Sequence, residues 1–155
     1  MFMAAVIKEG GGKLEDFTLS QSSTSRVSKA GRSKMASEIQ SSFNVPKFIA
    51  CHWDGKILLN KDGSKDHRVA VVITGHPHIK EGKILGISTV EKGTGTLEAH
   101  EIFSKLSKWK CIKNVVALVF DTTSSNSGQW KGATVILEQF LNKKNLNACL
   151  QASYV

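Results

Sequence analysis

The 155-residue chain is 41% hydrophobic and 22% charged, and its 21 lysines and arginines against 13 acids give a formal charge of +8. That composition is that of a soluble globular protein, and the length allows one domain with a real core but not two ordinary ones. No apolar stretch approaches the roughly 20 residues of a bilayer-spanning helix, so no membrane partner is expected.

The charge is unevenly placed. Residues 47–155 hold 15 lysines and arginines against 9 acids, whereas residues 1–46 hold 6 against 4. The excess therefore falls on the part expected to fold, where a basic surface suits a polyanion such as DNA; charge kept for solubility alone is the other reading. Cys51, Cys111 and Cys149 are odd in number, far apart and without a CxxC pair, which points to reduced thiols and away from a disulfide framework or a zinc knuckle. The opening "MFMAAVIKEGGGK" has too short an apolar run for a secretory signal and no cation before it, so a nuclear or cytoplasmic protein, not a secreted one, is expected.

Residues 1–46 read as a mostly disordered, Ser-rich basic arm around "TLSQSSTSRVSKAGRSK", with too little apolar area to offset chain entropy. Met35, Ile39 and Phe43 recur every four residues, which predicts one short helix over residues 34–43. The arm serves either as a solvated linker or as a contact to DNA phosphates.

Pro46 opens the ordered part, residues 47–155. "KFIACHWDGKILL" alternates, with Phe48, Ala50, His52 and Asp54 on one face and Ile49, Cys51 and Trp53 on the other; this is a first strand. "NKDGSKDH" is turn chemistry, "RVAVVITG" a second strand, "HPHIKEGK" a connection and "ILGISTV" a third strand. The connections are too short for a crossover helix, so these three strands form an antiparallel meander. The period then changes: "TLEAHEIFSKLSKW" puts Ala99, Ile102, Phe103 and Leu106 at helical spacing, with Thr96 as the expected N-cap, Glu98 in the first turn and Lys108 and Lys110 at the end. "NVVALVFD" is apolar without alternation, a fourth strand expected to be covered on both faces. "SGQWKGATVILEQFLNKK" predicts one helix with an inward stripe of Ala133, Ile136, Leu137, Phe140 and Leu141. "NLNACLQASYV" holds a fifth, short strand. The fold class is α/β, a mixed sheet in the order β-β-β-α-β-α-β, with three antiparallel strands followed by parallel strands on crossover helices.

In such a sheet the first and fourth strands are neighbours, which brings Asp54 beside Asp121. Either aspartate alone suits a helix cap or a turn. Together, two converging carboxylates repel each other unless a cation sits between them, and oxygen ligands of this kind suit Mg2+ or Mn2+. Such ions activate water and stabilise a leaving oxygen in phosphodiester cleavage.

The element order and paired acids resemble the ribonuclease-H-like catalytic core of DDE/DDD transposases and retroviral integrases. "VPKFIACHWDGKIL", "GISTVEKGTGTLEA" and "VVALVFDTTSSNSGQWKGATVILEQFL" more narrowly resemble transposase-derived animal proteins carrying His-Trp-Asp-Gly-Lys and Phe-Asp-Thr-Thr-x-Ser-Asn-x-Gly motifs. The similarity covers residues 40–147. It implies that Asp54 and Asp121 are the first two catalytic acids and metal ligands. Thr122, Thr123, Ser124 and Asn126, together with Gly128, match the turn after the second acid and are expected to line the site; His52 shares a face with Asp54 and either lines the site too or is a satisfied, partly buried histidine. Related proteins continue with a Cys-Arg-His-His-like stretch and a later acid on a helix. Here "NACLQASYV" keeps Cys149 but has Gln151 and Ala152. The core therefore reads as incomplete at its C-terminus, with Glu138 the only later acid and one element too early. A domain inactive by itself, with weak Mg2+ or Mn2+ binding, is the expectation. A fifth strand left as an edge invites a partner strand, so a homo-oligomer is an open expectation.

Two other functions stand beside this one. "TTSSNSG" at a strand-to-helix turn is similar to the hydroxyl-rich cradles of phosphate-binding modules, although Asp121 would repel the ligand. A non-catalytic DNA- or protein-interaction domain would use the basic surface alone. His76 and His78 lack a nearby third ligand, "GTGT" at residues 93–96 lacks phosphate-loop spacing, and Trp53, Trp109 and Trp130 read as packing residues, with base stacking by one of them as the other reading.

Overall fold

The protein is described by a computed structural model over residues 20–60 and 62–149. The chain divides between Phe43 and Asn44 into two units. The described part of the first is one helix, α1 (Gln21–Ser41). Ser20 caps it, its Oγ accepting from the amide of Ser23 at 3.1 Å, which satisfies one of the unpaired first-turn donors. None of its 21 residues is buried. Where the sequence reads as an arm with one short helix at residues 34–43, the helix is thus longer and starts earlier. Residues 1–19 lie outside the described part.

The second unit carries a five-stranded sheet in the order β3-β2-β1-β4-β5. Strands β1 (Phe48–Leu59), β2 (Lys65–His76) and β3 (Ile79–Val90) form the expected antiparallel meander. β4 (Val115–Phe120) lies parallel to β1, and β5 (Asn147–Cys149) parallel to β4. Asp62 makes the first hairpin turn by accepting from the Ser64 amide at 2.9 Å and its hydroxyl at 2.6 Å, an aspartate turn of the usual kind. The second hairpin is tighter than the sequence suggests. β2 runs on to His76 and β3 begins at Ile79, so most of "HPHIKEGK" is strand, not connection.

Alternation along β1 buries Ile49, Cys51 and Trp53 on one face, together with Val69, Val71 and Ile73 of β2. Helix α2 (Gly95–Lys108) covers that face with Ala99, Ile102 and Leu106 and packs on α4 (Ala133–Leu141), which contributes Ala133, Leu137 and Leu141. Each large aliphatic side chain buried in this layer stabilises the fold by about 1.5–3 kcal/mol. Cys51 and Cys111 are free, buried thiols. Burial, reinforced by Cys111, pushes Cys51 up to about 12, and burial lifts Cys111 to about 11, so both are packing groups and not nucleophiles. The side chain of Cys149 lies outside the described part.

Three local expectations change. The cap of α2 is Thr94, not Thr96, and its side chain makes no cap bond. The helix expected from residue 127 begins only at Ala133 (α4); a separate four-residue helix, α3 (Ser124–Ser127), precedes it, and the segment between them contains Gly128 and Gly132. β4 is covered on one face only at its start, since Val116 is 48% exposed. At the end of α4, Asn142 turns left-handed at φ 50°. Lys143 Nζ then donates to the carbonyls of Lys113 at 3.0 Å and Val115 at 2.6 Å, tying the helix end to the start of β4.

Candidate functional site

β1 and β4 are paired in parallel from Ile49↔Val115 to His52↔Val119. Trp53 and Phe120 follow, and their rings stack with centroids 5.1 Å apart. The next residue on each chain is an acid, Asp54 on β1 and Asp121 just past β4. The stacked aromatics thus tie the middle of β1 to the end of β4, next to the positions from which the two acids emerge. Both aspartates are exposed. Asp54–Gly55 is not a turn: β1 continues through it to Leu59.

Asp121 is oriented by its own loop. Its Oδ1 accepts from Asn126 Nδ2 and from Thr123 Oγ1, the latter at 3.2 Å. Asn126 is 2% exposed, and its Oδ1 accepts from Trp53 Nε1 at 2.7 Å. An indole nitrogen only donates, so the amide must present its oxygen to Trp53 and its NH2 to Asp121. The carbonyl of Asn126 accepts from Thr134 Oγ1 at 2.9 Å, which pins the loop to the first turn of α4. Asn126 was singled out in the sequence as a turn residue; it is the buried link from β1 to Asp121.

A third carboxylate joins the pair, and sequence reasoning missed it. Glu98 in the first turn of α2 is 5% exposed. Its Oε1 lies 3.1 Å from where a Cβ on Gly55 would stand, so the glycine after Asp54 makes room for it. Its carboxyl is raised above the usual range, first by burial, then by Asp121 and then by Asp54. The two aspartates therefore act on one common group. The ion pairs of the described residues join Lys34 to Glu38 and Arg68 to Asp66 and involve none of the three acids. The only sequence signal for Glu98 is an acid in a helix first turn, which the helix dipole explains by itself.

The other expected residues fall as follows. His52 stands on the Asp54 face, but its Nε2 is bonded to Thr74 Oγ1 at 2.9 Å, and burial lowers its pKa, so it is a neutral imidazole. Thr122 and Ser124 are exposed at the loop and at the start of α3. The hydroxyl of Ser127 donates to the Thr123 carbonyl at 2.9 Å, and α3 spans only four residues. The "TTSSNSG" turn therefore uses hydroxyls internally and has no extended helix behind it. Glu138 accepts from the amide of Leu146 at 2.8 Å, where the chain enters β5, and is engaged away from the acids. Among the described residues no group of three His, Cys, Asp or Glu side chains is arranged to hold a metal ion, His76 and His78 included.

A small cavity of about 180 Å3 adjoins Glu98, lined also by Gly55, His67, Arg68, Gly93 and Ser125. Among the described residues no helix is long and apolar enough to cross a membrane. Compared with known proteins, the chain matches no family model and no curated protein.

Proposed function

We propose that Asp54 and Asp121 form the divalent-cation and phosphodiester site of a ribonuclease-H-like domain related to transposases, and that it acts on DNA. The observation that supports this reading is that Asp54, within β1, and Asp121, just past the end of β4, lie on neighbouring parallel strands and both raise the carboxyl of Glu98. Like charges are gathered in this way where a cation completes the site. Two carboxylates with the remaining positions open to water and phosphate are the donor set Mg2+ and Mn2+ accept. When bound, the cation supplies Lewis-acid polarisation and an acidified water.

The protein's part is to hold oxygens in place. Both bonds to Asp121 fall on Oδ1, which leaves Oδ2 for a ligand, and the Trp53–Asn126 link fixes the carboxylate plane. Asp54 is fixed by the β1–β2 ladder, opposite Ala70. Burial and the two aspartates raise the carboxyl of Glu98, and among the described residues the three acids are not arranged to hold a metal ion together. The expected binding is therefore weak, and this chain by itself is expected not to cut DNA.

Calorimetry with Mn2+ tests the reading. The wild type should show weak heats that Asp54→Asn and Asp121→Asn each abolish. Titrations identical in all three proteins would remove the cation site. A plasmid-nicking assay in Mn2+ should show no cleavage; cleavage lost in both aspartate variants would show that the pair suffices for catalysis.

A further inference from the structure

The three tryptophans have different surroundings. Trp53 is 4% exposed within the core, and Trp109 is half-buried with its Nε1 on the Leu85 carbonyl at 2.9 Å. Trp130 is 83% exposed and is therefore not the packing residue that the sequence suggests. It borders a cleft of about 800 Å3, whose walls include Thr94, Thr96, Ser124, Gln129 and Lys131. None of the described residues lining that cleft is acidic.

The cleft is preformed. A Cβ on Gly95 would overlap the carbonyls of Ser125 and Lys131 and come within 2.6 Å of the Ala133 amide. A Cβ on Gly132 would come within 2.5 Å of the Gly128 backbone and 2.7 Å of the Asn126 carbonyl. The loop before α2 and the loop between α3 and α4 thus meet backbone to backbone, and their walls are fixed to each other. An indole kept in water on a rigid loop is a large apolar surface with nothing of its own to cover. The hydroxyls, the amide and Lys131 beside it are donors suited to an anionic ligand with an aromatic part. Gly93 and Ser125 line both this cleft and the cavity at Glu98, so the cleft adjoins the acid cluster.

We propose that this cleft holds one unpaired nucleotide of a nucleic-acid strand, its base stacked on Trp130 and its backbone against Lys131 and the hydroxyl wall. The proposal deepens the phosphodiester-site reading and rests on it for the choice of ligand. A base inside a duplex has both faces covered by its neighbours and cannot stack on a side chain, so the strand must be single or locally opened. A cleft of this size lies within the range of small-ligand pockets and suits one nucleotide, not a helix.

The test uses the full chain in EDTA with an oligothymidylate of about 12 residues, the oligouridylate of the same length, and a DNA duplex of equal length. The single strands should quench tryptophan emission and the duplex should not. Trp130→Ala should weaken single-strand binding about tenfold, and Trp130→Phe should keep most of the affinity while losing the quenching. Because Trp130 is exposed, neither change should unfold the protein. Equal affinity in wild type and Trp130→Ala would overturn the proposal and leave binding to surface charge; quenching by duplex as strong as by single strand would also overturn it. Working without metal separates the readings: Mn2+ heats without quenching remove only the nucleotide subsite, and quenching without Mn2+ heats removes only the cation site.

Discussion

Asp54 and Asp121 reach the same corner by different means. Asp54 sits inside a strand of 12 residues, paired with β2 on one side, and the backbone ladder alone positions it. Asp121 lies beyond its strand and depends on side chains, Asn126, Thr123 and, through Asn126, Trp53. A ladder tolerates changes in neighbouring side chains, whereas a side-chain network fails when one member is lost. The acid past β4 should therefore be the vulnerable one, although the aromatic stack of Trp53 on Phe120 ties both strands together next to the acids.

The largest expected effect follows from breaking the shared support. Trp53→Ala removes the stack on Phe120 and the donor to Asn126, and should cost about 3–5 kcal/mol in denaturant unfolding. Asn126→Ala leaves the buried Trp53 N–H unpaired and frees Asp121, at about 1–3 kcal/mol. It should weaken Mn2+ binding while leaving β1 intact. A variant at Asn126 that binds Mn2+ like wild type would show that the loop does not orient Asp121.

Two glycines sharpen the contrast. Gly95→Ala meets backbone on three sides, which cannot yield, and should cost about 1–3 kcal/mol or more by overpacking. Gly55→Ala meets only the end of the Glu98 side chain, at 3.1 Å, and should cost under about 1.5 kcal/mol. Equal losses of thermal stability in the two would contradict the picture of a rigid loop contact beside an adaptable acid.

What the sequence made legible divides along the same line. β1, β4 and α2 could be read because alternation, a β-branched run and helical spacing are local consequences of burial, and the positions of Asp54 and Asp121 follow from them. Only the C-terminal half of α1 could be read from an apolar stripe, at Met35 and Ile39; its N-terminal half has none and buries nothing, and Ser20 and the serine side chains that bond to preceding carbonyls, such as Ser37 Oγ to Ser33 at 3.0 Å, accompany it. The break between α3 and α4 coincides with close backbone contacts at Gly128, Gly132 and Gly95, which join segments separated along the chain by α2 and β4. Glu98 was hidden for the same reason: its meeting with Gly55 is tertiary, and nothing in its own segment distinguishes it from a helix-dipole acid.

The smallest expected effect concerns Glu98. Its carboxyl is raised in the folded chain, so its ionisation opposes folding. Stability should fall as pH rises through the ordinary carboxylate range, with the cost fully present above the raised folded value. Glu98→Gln should therefore be more stable than wild type near neutrality and converge with it in acid, as read by thermal unfolding across pH. A Gln variant that is less stable at neutral pH would mean that the ionised Glu98 is a bonded, stabilising group.

Paramagnetic broadening of backbone amide signals by Mn2+ tests the central claim most directly. Sub-stoichiometric Mn2+ should selectively broaden Asp54, Gly55, Asp121 and Thr122, and the effect should vanish in Asp54→Asn/Asp121→Asn. Broadening centred elsewhere, at His76 and His78 for example, or unchanged in the double variant, would contradict a cation site built by Asp54 within β1 and Asp121 just past β4.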